Sequence, residues 1–385
     1  MRIAWATPFN DRSSIAQSSL AAAQELSRRG HAVEIVRIET GEAAAKAPIP
    51  TALPLHAPGT LDTARLRDAF DATVVAMGDN YPFHGRALPI IETVPSIVVL
   101  HDADMRHLFA GALEAGVLSQ ASIAARRAAF AMPTADRETI GLDLPWISAM
   151  SIGAVAHAGH YAGRLDRRIP HVVIPLGKID PGVSGCTREP DGRFVVTTFG
   201  MLNPNKQADR VLQALSRAPA LWDRTIYRLV GLITDSERER LTRLAEQLGL
   251  PHPDFLGWVE DDRLQALLGE TDVVCCLRHP VLEGASGSLI FALYSARPTI
   301  VADAGSYAEV PDGLVWKVSY GRDADDVAGA LETIAGDAVA ARTPARRARE
   351  WACSRHSPKA YIDDLLPFIL RCVGSPPPAR AMLPG

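Results

Sequence analysis

Short apolar runs alternate with helical segments along this chain, and that alternation limits the possible folds more than any other feature of the sequence. RIAWAT, AVEIVRIE, ATVVAMG (72–78) and SIVVLHD (96–102) are rich in β-formers and short enough to be buried strands. Between the first two, IAQSSLAAAQELSRRGH sets Ile15, Leu20, Ala23 and Leu26 at helical spacing, and Arg28, Arg29 and Gly30 follow as a helix stop. Strand, helix, strand in that order builds a parallel sheet, because a parallel neighbour can be reached only through a crossover.

The alternation runs twice. After a mostly helical, alanine-rich stretch from 103 to 150, SIGAVAHA (151–158) and HVVIPLG (171–177) are expected to close a first domain over residues 1–178. KIDPGVSGCTREPDGR is rich in Gly, Pro and charge, which makes 179–193 the linker. A second series then covers 194–357: FVVTTFG, a helix from about 208 to 217, TIYRLVG, DSERERLTRLAEQLG with Ser236 as N-cap and Gly249 as stop, FLGW, DDRLQALLGET, DVVCCLR and PTIVAD. A helix over 358–372 carries Ile362, Leu365, Leu366, Ile369 and Leu370 on one face, and the proline-rich tail 373–385 is expected to be disordered. A chain of 385 residues exceeds what one core usually holds. The expected fold is α/β, two Rossmann-like, doubly wound domains facing a central cleft that serves as the ligand site.

Composition excludes several classes. Forty basic against 44 acidic residues leave a formal charge of −4, no electrostatic basis for nucleic acid as a partner. Cys186, Cys275, Cys276, Cys353 and Cys372 are odd in number without CxxC spacing, which reads as free thiols in a reducing compartment and as neither a disulfide framework nor a zinc site. MRIAWATPF lacks the features of a secretory signal, and no apolar run is long enough to span a bilayer; a cytoplasmic protein is expected, with room for peripheral contact at the inner membrane.

Four loops fall at carboxyl ends of strands, where parallel sheets present function. In HPVLEGASGSLIF, the small residues Gly284, Ala285, Ser286 and Gly287 precede a helix whose amides a ligand anion could approach, and no Gly-Lys-Ser/Thr follows to make a P-loop. FGMLNPNKQADRV ends its strand at Gly200 and sets Lys206 before a helix, facing a phosphate or simply solvent. VVAMGDNYPFHG offers Asp79, Asn80 and His84, and SIVVLHDAD offers His101 and Asp102; ordinary loop histidines are the plain alternative for both. His157, after SIGAVAHA, is a lesser candidate, and Ser13 and Ser14 in TPFNDRSSIAQSS read equally as a helix cap.

Taken in order, these segments resemble the retaining glycosyltransferases of family 4, enzymes of GT-B fold. The family's Gly-Arg, with Lys five residues after the Arg, is matched by Gly200, Met201 and Lys206. Its Glu, Gly-Phe-Gly, helix and following strand are matched by Glu283, GASGS and ARPTIVADAGSYAE, and MRIAWATPF with ELSRRGHAVEIV resembles its opening unit. Gly-Asp-Asn with His84 resembles a motif of a bacterial subgroup, and His101-Asp102 the family's His-Asp.

The resemblance implies hexosyl transfer, with retention, from a nucleoside diphosphate sugar to a glycan or lipid-linked acceptor in bacterial lipopolysaccharide, O-antigen or exopolysaccharide synthesis. Neither cofactor nor metal is implied. It gives His101, Lys206 and Glu283 catalytic roles. Donor binding falls to Ser13, Ser14, Gly200, Trp258, Val259, Arg278, Gly284, Ser286, Gly287 and Ser288, and Asn80, His84 and Asp102 are left to acceptor or sugar. Apart from the resemblance, Arg106, His107, Arg164, Arg167 and Arg168 give the first domain some basic character, which reads either as solvated surface charge or as a face towards an acceptor at the membrane. Two positions depart from the pattern: Met201 replaces an arginine, for which Arg278 could substitute, and Phe291 replaces the second glutamate, eight residues after Glu283. A non-catalytic nucleotide- or glycan-binding protein and a nucleotide-sugar epimerase are the alternative readings.

Overall fold

The structure, a computed structural model, describes residues 1–130, 143–182, 192–321 and 323–375. The chain divides into two compact units, Met1–Ile179 with Leu282–Ala285 and Arg355–Gly385, and Asp180–Val281 with Ser286–Ser354. Sequence reading assigns 282–285 to the second domain; in the structure these four residues group with the first.

Among the described residues the first unit holds seven strands: β1 (Arg2–Thr7), β2 (Ala32–Arg37), β3 (Leu55–His56), β4 (Ala72–Met77), β5 (Ser96–Leu100), β6 (Gly153–Ala156) and β7 (His171–Val173). They lie in the order β3-β2-β1-β4-β5-β6-β7, every pair parallel. All six residues of β4 are buried, as expected of a strand covered on both faces. The second unit repeats the plan with β8 (Phe194–Phe199), β9 (Thr225–Val230), β10 (Asp254–Gly257), β11 (Val273–Cys276), β12 (Thr299–Ala302) and β13 (Trp316–Val318), in the parallel order β10-β9-β8-β11-β12-β13. Each sheet therefore reverses its winding once, between β1 and β4 and between β8 and β11. Loops part at such a switch point, beyond the carboxyl ends of the strands, and leave a crevice.

One face of the first sheet is closed by the helix Ser14–Arg28 and by the chain's last helix, Pro358–Gly374, which buries Tyr361, Ile362, Leu365, Phe368, Ile369 and Cys372. Gly153 permits the close approach: a Cβ there would come 2.5 Å from Cys372 Sγ. Arg29 ties the two helices together through Asp363 (2.8 Å) and the carbonyl of Lys359 (3.1 Å).

Several local expectations change. The last helix runs to Gly374, past the expected start of the tail, and residues 376–385 lie outside the described residues, as do 183–191 of the linker. Helix Asp235–Gln247 is capped by Thr234, whose Oγ1 accepts from the amide of Glu237 (3.3 Å), two residues ahead of the expected Ser236. The edge strands β3 and β13 are two and three residues long and lack the apolar run that announces a strand. Cys275, Cys276 and Cys372 are buried free thiols and Cys353 is half-buried; Cys186 lies outside the described residues. Among the described residues no helix is long and apolar enough to cross a membrane.

Candidate functional site

In the first unit, the chain leaving β5 is met by residues 282–285. The amide of Ala103 donates to Leu282 O and the amide of Gly284 to His101 O, both at 2.8 Å, so that Asp102 and Glu283 pair in an antiparallel bridge. Gly284 is required by close approach, because a Cβ would lie 2.5 Å from the Tyr161 hydroxyl and 3.0 Å from His101 O. Tyr161 cannot easily yield. It is fully buried, donates to Leu100 O (2.7 Å) and accepts from the amide of His157 (2.6 Å). The amide of Gly284 is engaged by His101 O, and the glycine serves to seat Glu283 beside His101 and Asp102.

His84, His101, His157 and His356 all belong to this unit. His101 and His157 have ring centroids 4.7 Å apart. Burial, together with His157, His84 and Lys178 nearby, holds His101 well below the usual imidazole range. Burial likewise pushes His84, His157 and His356 down to about 4. Each of these three is neutral and donates its Nδ1–H to a carbonyl: Ala76 (3.1 Å), Ile174 (2.9 Å) and Leu176 (3.0 Å) respectively. The Nε2 of His157 is buried with no hydrogen-bond partner among the described residues. His84, assigned above to acceptor or sugar, is only 2% exposed and ends the short helix Tyr81–His84 that Asn80 begins.

The carboxylates behave in the opposite sense. Asp102 is pushed up to about 7, by burial first and then by the charges of Asp79, Glu283 and Asp104, although its Oδ2 accepts from the amide of Asp79 (2.7 Å). Burial also raises Asp79. Asp79 holds the start of helix Arg106–Glu114, accepting from the amide of Leu108 (2.8 Å) and contacting His107 Nδ1 (2.6 Å). Three of the five basic residues named above have local acidic partners: Arg106 bonds Asp104 (2.6 Å), His107 bonds Asp79, and Arg168 bonds Asp166 (2.5 Å). Ser13 is the N-cap of helix Ser14–Arg28, accepting from the amide of Ala16, and Ser14 is exposed with its carbonyl 3.4 Å from Lys178 Nζ.

The second unit gathers Gly200, Lys206 and Ser288 at its own switch point. Lys206 closes the turn Pro204–Lys206, is 3% exposed, and donates to Phe199 O (2.9 Å) and Ser288 Oγ (3.0 Å). Its ammonium therefore stands beside the first turn of helix Gly287–Tyr294, where amides have no intrahelical carbonyl. Ser286 caps that helix, its Oγ accepting from the amide of Leu289 (3.2 Å). Gly200 has φ +104°, and a Cβ on it would lie 2.7 Å from Ser288 Oγ and 3.1 Å from Lys206 Nζ. Gly231, φ +140°, packs directly on the carbonyl of Gly200, backbone against backbone.

Elsewhere in this unit, Met201 is 66% exposed, Arg278 is half-buried with Nε 3.4 Å from the Tyr307 hydroxyl, Phe291 is half-buried, Trp258 is 54% exposed and Val259 is half-buried. The acidic run at 323–326 is engaged locally, Asp323 and Asp325 with Arg217, Asp326 with Arg210 and Ser319. No three His, Cys, Asp or Glu side chains among the described residues could hold a metal ion. Tyr161 is missed by sequence reasoning; His157, at the end of an apolar strand, is the lesser candidate named there.

Residues 186–351 match the family described as Glycosyl transferases group 1. No curated protein matches the sequence. Solved structures do match across nearly the whole chain. Anabaena HepE, in complex with UDP and glucose, has a TM-score of 0.65 at 17% identity, covering 96% of this chain and 100% of its own. Sucrose-phosphate synthase of Thermosynechococcus elongatus has a TM-score of 0.67 at 14% identity, covering 97% and 99%. WaaG, a glycosyltransferase involved in lipopolysaccharide biosynthesis, has a TM-score of 0.59 at 15% identity, covering 95% and 99%. The two Rossmann-like units are thus those of the GT-B glycosyltransferase fold, and residues 186–351 are similar to the Glycosyl transferases group 1.

Proposed function

We propose that this protein transfers a hexose-type sugar, with retention and without a metal, from a nucleoside diphosphate sugar to a hydroxyl of a glycan or lipid-linked acceptor. The chain is read as a family 4 enzyme of bacterial cell-surface polysaccharide synthesis, working in the cytoplasm or peripherally at the inner membrane face. The observation that carries the reading is the Lys206 ammonium held between Phe199 O and Ser288 Oγ beside a helix N-terminus. A departing nucleoside diphosphate gains negative charge, and a fixed cation with oriented amides stabilises that charge where it develops. The likeness of residues 186–351 to Glycosyl transferases group 1 supports this, as does the fold shared with HepE, captured with UDP and glucose, and with WaaG.

On this reading Gly200, Ser286, Gly287 and Ser288 shape the diphosphate site, Arg278 adds a second cation, and Trp258 with Val259 meets the base. Glu283 orients the sugar through its hydroxyls. His101, neutral, offers hydrogen bonds without a charge. Asn80 and Asp102 fall to acceptor or sugar, and Ser13 and Ser14 keep the loop after β1 open.

Two observations favour other readings. Met201 puts an exposed thioether where a cation would grip the donor, which suits binding without turnover. Asp102, protonated near neutrality beside Glu283, suits the acid-base work of an epimerase. A panel of nucleotide sugars separates the three. The transferase releases nucleoside diphosphate once an acceptor is supplied, the epimerase alters the sugar without release, and the binder does neither. Lys206→Ala is expected to lower turnover by about two to three orders of magnitude; a wild-type rate removes Lys206 from the chemistry.

A further inference from the structure

A cavity of about 630 Å³ opens in the first unit, lined by Arg12, Thr40, Glu42, Lys46, Tyr81 and Phe83 among others. Its walls come from the loop after β1, from the turn after β2 with the short helix Gly41–Ala45, and from the short helix Tyr81–His84 after β4. It therefore sits at the carboxyl ends of three neighbouring strands.

The walls are fixed from below by one buried ion pair. Glu39 is fully buried and accepts from the amide of Phe9 (2.8 Å), from Asn10 Nδ2 (3.1 Å) and from Arg37 (3.1 Å). Arg37 passes the connection on, donating to Ala44 O (3.3 Å) and Lys46 O (3.0 Å). Asn10, also fully buried, accepts from the amide of Arg12 (3.0 Å) and donates to Ala43 O (3.4 Å). The segments that carry Arg12 and Lys46 are thus both fastened to Arg37 and Glu39. A buried ion pair costs desolvation that apolar packing would avoid, and here its hydrogen bonds end on the two cationic walls.

The aromatic wall is equally held. The ring of Tyr81 lies against Gly111 and Gly85; a Cβ on Gly85 would meet it at 2.9 Å, and on Gly111 closer still. The Thr40 hydroxyl donates to Tyr81 O (3.3 Å). Among the named lining residues Arg12 and Lys46 face one carboxylate, Glu42, and Asp11 stands 3.9 Å from Arg12 Nε at an exposed position. A rigid cavity with a ring on one side and two cations on another matches a saccharide that carries an anion.

We infer that this cavity takes the acceptor as a sugar or polyol bearing a phosphate or carboxylate, with Arg12 and Lys46 on the anion and Tyr81 against the ring. Only the word acceptor rests on the transferase reading; binding does not. The full chain, without donor, is titrated by calorimetry with glucose phosphate, glucuronate, glycerol phosphate and neutral methyl glucoside. The anionic sugars are expected to bind in the millimolar range or tighter, and methyl glucoside about tenfold more weakly or worse. The two acids tell phosphate from carboxylate, and glycerol phosphate reports what the ring contributes.

Arg12→Ala and Lys46→Ala alter exposed side chains, so the melting temperature stays that of the wild type. Each is expected to weaken the anionic probes about tenfold and to leave methyl glucoside unchanged. Equal affinity for charged and neutral sugars, indifference to both substitutions, or no binding by any probe overturns the inference. Nucleoside diphosphate release with a separate acceptor panel is read independently, so transfer can fail while the cavity stands, and the reverse.

Discussion

Gly284→Ala tests how residues 282–285 are seated. The new Cβ would lie 2.5 Å from the Tyr161 hydroxyl, 2.8 Å from its Cζ and 3.0 Å from His101 O. Two responses are open. Tyr161 can move, at the expense of its buried bonds to Leu100 O and the His157 amide; overpacking of this kind costs about 1–3 kcal/mol, and each bond lost adds about 1. Alternatively the segment lifts away, surrendering the Ala103–Leu282 and Gly284–His101 bonds at about 1 kcal/mol apiece. The second route is the cheaper and sets the expected loss at about 2 kcal/mol, or about 4–8 °C in the melting temperature of a unit of this size.

Hydrogen exchange tells which route is taken, because lifting exposes the amides of Ala103 and Gly284 while the core of β5 stays protected. Glu283 rides on the same segment, so nucleoside diphosphate release should fall with it. Tyr161→Phe removes the nearest atom, and combined with Gly284→Ala it should cost less than the sum of the two single changes. Strict additivity, or an unchanged melting temperature in Gly284→Ala, refutes the account of why a glycine stands there.

Further outcomes concern charge. The folded-state pKa of Asp102 is raised to about 7, so the native state holds its proton more tightly than the unfolded chain does. Its contribution to stability is present below the unfolded value of about 4 and declines as pH rises through about 7. Asp102→Asn should therefore flatten the fall in melting temperature between about pH 4 and about pH 7; an unchanged slope assigns the pH dependence elsewhere. Met201→Arg, at a 66% exposed position, should leave stability intact and raise the affinity for UDP about tenfold by calorimetry. No gain would mean that position 201 does not face the diphosphate.

Both sheets are legible in the sequence because their strands are buried on two faces and so read as plain apolar runs; ATVVAM and FVVTTF need no context. Lys206 and Ser288 can be named from their places after a strand and at a helix start, yet nothing local announces that the ammonium is buried and bonded to that serine. The seating of Glu283 is out of reach for a local reading, since Leu282 pairs with Ala103 across some 180 positions of chain. The choice between Thr234 and Ser236 as a cap turns on which residue first adopts helical angles, and both side chains suit the task. His84 reads as a loop residue in the sequence, and its burial is not announced there: it depends on Gly78, whose missing Cβ leaves room for the His84 Nε2 and for Asp102.

The carbonyl partners of His84, His157 and His356 bear on how a pH profile of this protein would be interpreted. A limb near neutrality is habitually given to an imidazole. Here those three rings, together with His101, are locked in the uncharged state across that range, each of the three with its tautomer fixed by a backbone oxygen. A group that changes charge there, beside His101, is a carboxylic acid.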